Sequence, residues 1–411
     1  MNASARLLPR LAEAELAASL ETMPIVVLMG ARQTGKSTLV RSSAALHDYP
    51  YATLDRFDVR AQATEDAEAF VRRAPRLIID EVQREPDLLL AVKQAVDERP
   101  RREAGRFVLT GSANLLLMRQ VSETLAGRAS YLKLWPLTRR ERLDIGKAGI
   151  WSRLLEARAR DWYELVSDQD ARDGDWRAEA VLGGYPTPSH ELGSADARRR
   201  WFRGYVETYL ERDLQDLSQI DNLVDFRRLM RAVCLRVGGL LNQTELSRDT
   251  GISRPTVHRY LNLMETSFQL VRIEPYSVNR TRRLVKSPKI YWSDTGLALH
   301  LAGTEPSGPH LENLVLADLV AWRDGTDHQA QILYWRTASG HEVDFVIETP
   351  NRLLPVEVKA TRRPRPGDAR YLRLFIDDYG DRTDGALVLH AGDETFWLAE
   401  SILAAPWWRV L

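Results

Sequence analysis

Four residues at one spacing carry the most specific chemistry in this chain: Gly30, Gly35, Lys36 and Ser37 in the run GARQTGKS. They fit the phosphate-loop pattern G-x-x-x-x-G-K-[ST], between the apolar stretch IVVLM at 25–29 and a predicted helix beginning near Lys36. The glycines let the backbone curl until its N–H groups face a polyphosphate, and the helix N-terminus adds roughly half a positive charge there. The expected nucleotide-binding segment is therefore Gly30, Ala31, Arg32, Gln33, Thr34, Gly35, Lys36, Ser37 and Thr38. Lys36 should reach the β- and γ-phosphates. Ser37 offers its hydroxyl to Mg²⁺, which keeps water and phosphate oxygens as its other ligands. The chemistry predicted is ATP binding and hydrolysis.

An acid at the C-terminal end of a neighbouring strand supplies what the loop lacks. Asp80 and Glu81 follow the apolar run RLII, so Asp80 is expected to hold Mg²⁺ through water and Glu81 to polarise the attacking water. The plainer alternative is that the pair caps the next helix. A further strand ends in Thr110-Gly111-Ser112, and Ser112 is the hydroxyl assigned to sense the γ-phosphate. Arg128, in LAGR, has no obvious acid nearby in sequence. It is either an arginine finger acting across a subunit interface or a solvated surface arginine.

These groups need a scaffold, and the first 145 residues predict one. Apolar strands at 25–29, 76–80, 106–110 and 131–135 alternate with helical segments, the rhythm of an α/β parallel sheet. Residues 146–235 show helical periodicity, broken by GGYPTPS at 183–189, and read as a helical lid or connector. Residues 236–302 read as helices followed by basic strands, and 303–411 as a separate α/β unit after the Gly/Pro-rich GTEPSGP. A length of 411 residues itself implies roughly two to four domains.

Residues 242–265 carry the punctuation of a helix-turn-helix: Gly251 in the turn, Ser253 as a cap and Pro255 in the first turn of the second helix. That helix would present Arg254, Thr256, His258 and Arg259 to a DNA groove, with Val257, Leu261 and Met264 buried behind. The following segment resembles the hairpin of a winged helix. Arg280, Arg282, Arg283, Lys286 and Lys289 fall in it with no intervening acid, a local phosphate-binding footprint. Winged helices also serve as protein-contact modules, and that alternative stays open.

From residue 310 onward the predicted order is helix, three strands, helix, two strands, which resembles the PD-(D/E)XK nuclease core. Its acidic and basic positions are matched by Asp344, Glu357 and Lys359, with Glu312 as an additional acid. A two-residue turn at Pro350-Asn351 would pair Glu348 with Leu353 and Asp344 with Glu357. Two carboxylates so close are destabilising unless a cation intervenes, so a second Mg²⁺ or a Mn²⁺ is expected there. Lys359 would orient a hydroxide or stabilise developing charge. Otherwise Glu342 pairs with Lys359 and the charges form a solvated face. Trp407 and Trp408 read as core or subunit contact.

The GxRQxGKS form of the loop, with TGS, LAGR and PLTRRE at 136–141, resembles a bacterial and archaeal branch of the AAA+ ATPases that carries a C-terminal domain of uncharacterised function. GGYP at 183–186, YVETYLERDL at 205–214 and YWSDTGL at 291–297 resemble it too, so the likeness spans nearly the whole chain. The resemblance implies the AAA+ fold, ATPase activity and homo-oligomers, with a hexameric ring among the candidates. Composition adds exclusions. With 57 basic and 57 acidic residues there is no global field to hold a polyanion, so any DNA surface must be local. The single cysteine, Cys234, excludes an internal disulfide and fits a reducing cytoplasm. No run of 18 apolar residues suggests a membrane span. The leading expectation is an ATP-driven motor or remodeller on duplex or branched DNA. An ATP-gated metal-dependent nuclease and a nucleotide-dependent protein switch are the alternatives.

Overall fold

The computed structural model describes residues 7–98, 103–112, 124–145, 149–208, 220, 222–279, 283 and 286–411. Its first sheet is built from β1 (Ile25–Gly30), β2 (Tyr51–Thr53), β3 (Leu77–Asp80), β4 (Phe107–Ser112) and β5 (Ala129–Lys133), in the order β2-β3-β4-β1-β5 and parallel throughout. Strands covered on both faces read as continuous apolar runs. Ile25, Val27 and Met29 face one core, while Val26 and Leu28 face the other, against Leu16, Leu20 and Leu39. Tyr51–Thr53 is too short to stand out in the sequence. Because β4 lies between β1 and β3, the phosphate loop leaving β1 and the acids leaving β3 meet above the end of β4.

Helices follow. Trp151–Glu156 and Trp162–Ser167 pack on the C-terminal region, where Trp151 Nε1 donates to Asp318 Oδ2 at 2.7 Å and Arg352 Nη1 to Ala157 O at 2.6 Å. Trp176–Leu182 and Ala195–Tyr205 instead flank the loop that roofs the phosphate-loop cleft.

Helices Leu223–Cys234, Gln243–Thr250 and Arg254–Thr266 form a three-helix unit followed by an antiparallel pair, β6 (Leu270–Ile273) and β7 (Lys289–Trp292). Gly251 is left-handed at φ +70°, Ser253 accepts from Thr256 N at 3.4 Å, and Val257, Leu261 and Met264 are buried. Residues 274–279, 283 and 286–288 of the connection between the two strands are described. These described residues dock on the C-terminal region: Tyr334 N donates to Glu274 O at 3.1 Å and Tyr334 Oη to Ser287 O at 2.6 Å, while Tyr276 packs edge-on against Tyr379.

The C-terminal sheet contains β8 (Gln331–Arg336), β9 (Glu342–Glu348), β10 (Leu353–Lys359), β11 (Ala386–His390), β12 (Phe396–Ala399) and β13 (Ile402–Pro406), ordered β12-β13-β11-β10-β9-β8. β8, β9 and β10 form an antiparallel meander, and β10 runs parallel to β11. Glu348 pairs with Leu353, the register a two-residue turn dictates. Helix Gly308–Asp324 covers one face and Arg370–Tyr379 the other. Trp407 and Trp408 are buried at the chain end.

Candidate active site

The phosphate loop closes on itself. Gly30 lies so near β5 that a Cβ there would stand 2.3 Å from Leu134 O, and Gly35 adopts φ +94° to start helix Lys36–Ser42. Both positions need glycine, one for space and one for conformation. Lys36 Nζ donates to Gly30 O at 3.1 Å and Ala31 O at 2.8 Å. Burial lowers its pKa to about 8, opposed by the nearby charges of Glu81 and Asp80. From outside, Arg10 braces the loop: its guanidinium donates to Thr34 O at 2.7 Å, Trp135 O at 2.6 Å and Glu141 Oε1 at 3.3 Å. Glu141 also completes a capping box with Thr138, which explains the PLTRRE run. Arg10 is absent from the sequence-derived site because nothing local marks it.

Asp80 is held by three hydroxyls. Ser37 Oγ donates to Oδ1 at 3.1 Å, Thr110 Oγ1 donates to the same oxygen, and Tyr51 Oη donates to Oδ2 at 2.5 Å. Burial and then the bond to Asp80 raise the Tyr51 phenol well above its ordinary value, so it stays a donor. Ser37 and Asp80 together offer the hard oxygen donors that suit Mg²⁺. Glu81 stands at φ +60°, a costly conformation for a non-glycine residue, and takes a hydrogen bond from Gln83 Nε2. Burial raises its carboxyl pKa while Lys36 opposes the shift. Thr110 is the TGS hydroxyl that the structure brings to the acids. Ser112 ends β4 beside Gly30, and its side chain lies outside the described residues.

A cleft of about 460 Å³ opens over the loop, lined by Arg32, Gln33, Lys36, Ser37, Thr38, Asp55, Glu81 and Arg84 and roofed by Pro186, Thr187, Glu191 and Trp201. The roof follows from two distant motifs. Asp294 of YWSDTGL accepts from Gly184 N at 2.6 Å and Leu297 N at 2.7 Å. A Cβ on Gly183 would sit 2.6 Å from that carboxylate, and one on Gly184 would sit 2.3 Å from Leu137 O. The GGYP turn is therefore clamped between the sheet and the SDTG helix start.

Arg128 meets a partner that its sequence neighbourhood does not show. Its Nε and Nη2 grip Asp97 Oδ1 and Oδ2, 31 residues away in sequence, at 2.5 and 2.8 Å. Its carbonyl bonds Ile25 N at the start of β1, the opposite end of the sheet from the loop, so it cannot reach the phosphates of its own subunit.

The C-terminal acids and the basic run also rearrange. Lys289 is buried in β7, its Nζ 2.5 Å from Glu342 Oε1, 3.3 Å from Asp344 Oδ1 and 4.0 Å from Glu312 Oε2. Burial disfavours its charge, but Asp344, Glu312 and Glu342 outweigh that and hold its pKa above the ordinary lysine value. Lys359 pairs with Glu357 at 2.5 Å rather than with Glu342, and Asp344 Oδ2 accepts from Val358 N at 2.9 Å. Burial, then Asp344, push Glu357 and Glu312 each up to about 8. Among the described residues no group of three or more His, Cys, Asp or Glu side chains is placed to hold a metal ion. The second Mg²⁺ or Mn²⁺ expected here does not fit, because an ammonium already answers the carboxylate repulsion.

Two members of the expected DNA footprint are likewise consumed inside the protein. Arg283 grips Glu348 at 2.5 and 3.2 Å and donates to Ser277 O at 2.8 Å, and Lys289 is spent on the acids. Lys286 is exposed, while Arg280 and Arg282 lie outside the described residues. On the second helix Arg254, His258 and Arg259 are exposed and Thr256 is half-buried against Ser253. Among the described residues no helix is long and apolar enough to cross a membrane.

A five-stranded parallel sheet carrying a Gly-Lys-Ser phosphate loop, with an Asp-Glu pair one strand away, defines an AAA-type P-loop ATPase. Family comparisons agree: residues 22–143 match an AAA domain, 173–308 a domain of unknown function (DUF8612) and 307–410 a domain of unknown function (DUF4143). The chain is 30% identical over 406 residues to the uncharacterized protein Rv2008c of Mycobacterium tuberculosis, covering 96% of this chain and 82% of that one. An uncharacterized protein of Haemophilus influenzae is 22% identical over 359 residues, covering 81% and 82%. Among solved structures, the Walker-type ATPase PABY2304 of Pyrococcus abyssi aligns at 17% identity and a TM-score of 0.42, covering 71% of this chain and 94% of that one. The chain belongs to the family of the mycobacterial protein, as an AAA-domain ATPase with a C-terminal DUF4143 region.

Proposed function

We propose that the protein hydrolyses ATP at the cleft over Lys36 and uses the cycle to act, as a homo-oligomer, on duplex or branched DNA. The observation that carries the hydrolytic part is the cluster of Lys36, Ser37, Asp80 and Glu81 at one mouth of the sheet. Lys36, now bonded to loop carbonyls, turns its ammonium to the β- and γ-phosphates. Ser37 and, through water, Asp80 would hold Mg²⁺, which would supply neutralisation of the phosphate charge. Glu81 orients the attacking water, and Thr110, with Ser112 beside it, reads the γ-phosphate. Arg128 serves only a neighbouring subunit, after release from Asp97.

DNA contact is supported by the exposed Arg254, His258 and Arg259 at the start of a capped second helix. The placement of Arg283 and Lys289 favours a second reading, a nucleotide-dependent protein scaffold, because the two residues tie the middle region to the C-terminal sheet instead of to phosphate. Cleavage is disfavoured by the position of Lys289. One experiment separates the readings: titrate the purified protein with single-stranded, duplex and four-way-junction DNA under ATP and Mg²⁺, following phosphate release and strand length together. DNA-stimulated turnover with intact strands and steep salt dependence supports the motor. Binding without salt dependence and without stimulation supports the scaffold. Nicks lost in Asp344→Ala would restore the nuclease.

A further inference from the structure

The cleft over the phosphate loop draws its lining from separate parts of the chain. Asp55, Glu81 and Arg84 reach it from the ends of β2 and β3, to one side of β1, Lys36, Ser37 and Thr38 from the helix that follows the loop, and Pro186, Thr187, Glu191 and Trp201 from a distant segment. If Glu81 holds the attacking water, its end receives the γ-phosphate, and the remainder of the nucleotide must extend away from it. The lining side chains not supplied by the AAA match, Pro186, Thr187, Glu191 and Trp201, fall in the region matched by DUF8612.

Trp201 is the aromatic residue among the described residues that line the cleft. Its indole is held by two rings: Tyr205 stacks on it with ring centroids 5.1 Å apart and planes 17° from parallel, and Tyr185 leans on it at 5.5 Å. The two tyrosine hydroxyls bond each other at 2.9 Å, and Tyr205 Oη reaches Arg32 O of the phosphate loop at 3.4 Å. The aromatic stack is thereby registered to the loop. Pro186 comes within 4.0 Å of where a Cβ on Gly35 would be, and the backbone beyond it forms a π-helical turn, Thr187–Glu191, of a kind frequent at functional sites.

We propose that Trp201 and Pro186 form the nucleobase subsite, giving a purine ring an indole face and a proline edge, so that the DUF8612 region completes the ATP site. The inference rests on the hydrolytic reading above and extends it to the residues that recognise the base. A volume of about 460 Å³ suits a ligand of nucleotide size, since small-molecule sites span about 300–1,000 Å³. Base stacking on an aromatic residue is tolerant of sequence because every base offers a π-face, and its removal weakens binding by roughly ten- to a hundred-fold.

The test compares ATP with inorganic tripolyphosphate, which carries the anionic chain and no base, in equilibrium binding to the full chain with Mg²⁺. Trp201→Ala should weaken ATP roughly ten-fold or more and leave tripolyphosphate unchanged, while Trp201→Phe recovers most of the ATP affinity. In turnover, KM should rise in Trp201→Ala with kcat within about three-fold, because the base is remote from the bond broken. Unchanged ATP affinity in Trp201→Ala, or equal loss of both ligands, overturns the proposal. Should Trp201→Ala fail to fold, intrinsic fluorescence decides: ATP should change the wild-type signal, tripolyphosphate should not, and the change should vanish in Trp201→Phe. Its survival there overturns the subsite. A wild-type protein that binds neither ligand overturns the phosphate-loop reading itself, whereas one that binds both equally removes only the base subsite.

Discussion

Replacing Lys289 by methionine keeps most of the side-chain length and removes one charge. Three carboxylates, Glu342, Asp344 and Glu312, then face one another without the ammonium that now lies 2.5, 3.3 and 4.0 Å from them, in a place where Lys289 itself is 3% exposed. Removing one partner from a buried ion pair costs about 3–5 kcal/mol. Arg336 stays on Glu342 at 3.0 Å and Lys359 on Glu357 at 2.5 Å, but no pair of this kind is left for Asp344 and Glu312 among the described residues, and Tyr291 and Tyr334, which also face the group, carry no positive charge. Part of the cost returns by protonation, because burial and then Asp344 already place Glu312 and Glu357 at about 8. A carboxyl whose pKa rises on folding binds a proton on folding, so its effect on stability worsens as pH climbs from the ordinary 4.5 towards 8. Lys289 is raised instead, so its contribution is present across the neutral range and is lost only in strong alkali. The variant should therefore lose about 3–5 kcal/mol at pH 8 and distinctly less at pH 5.5, where proton uptake by the acids is cheap. For a cooperative unit of 150–250 residues, a loss of that size lowers the midpoint by about 6–20 °C. Thermal unfolding of wild type and variant at both pH values measures it. Equal stability at pH 8, or the same loss at both pH values, would refute the counter-ion role.

Other perturbations separate the parts of the ATP site. Glu81→Gln should bind ATP within about two-fold of wild type and slow single-turnover phosphate release by roughly 10²–10⁴-fold; normal release would remove Glu81 from the chemistry. Gly30→Ala forces a Cβ to within 2.3 Å of Leu134 O, a backbone atom fixed by β5, and should cost about 1–3 kcal/mol in urea unfolding along with nucleotide binding. Asp294→Asn can accept from Gly184 N or Leu297 N but turns an amide N–H₂ towards the other. It should cost about 1–3 kcal/mol and lower turnover by loosening the GGYP roof, so an unchanged ATPase rate would detach that roof from catalysis.

The phosphate loop is legible in the sequence because its chemistry is local: eight consecutive residues supply the glycines, the lysine, the hydroxyl and the helix start. The helix-turn-helix punctuation at Gly251 and Ser253 and the hairpin register of Glu348 with Leu353 are legible for the same reason, since a turn and its flanking residues determine both. Partnerships between distant segments are not. Lys289 and Arg283 look like a phosphate-binding run because no acid intervenes in sequence, yet the C-terminal strands bring Asp344 and Glu348 to them from 55 and 65 residues away. Tyr51 on Asp80, Arg10 on the loop carbonyls, Asp97 on Arg128 and Asp294 on Gly184 belong to the same class. Spacing along a chain determines which backbone shapes are possible. Which buried charge meets which counter-charge depends on the order of strands and the packing of sheets, and desolvation then makes that pairing obligatory.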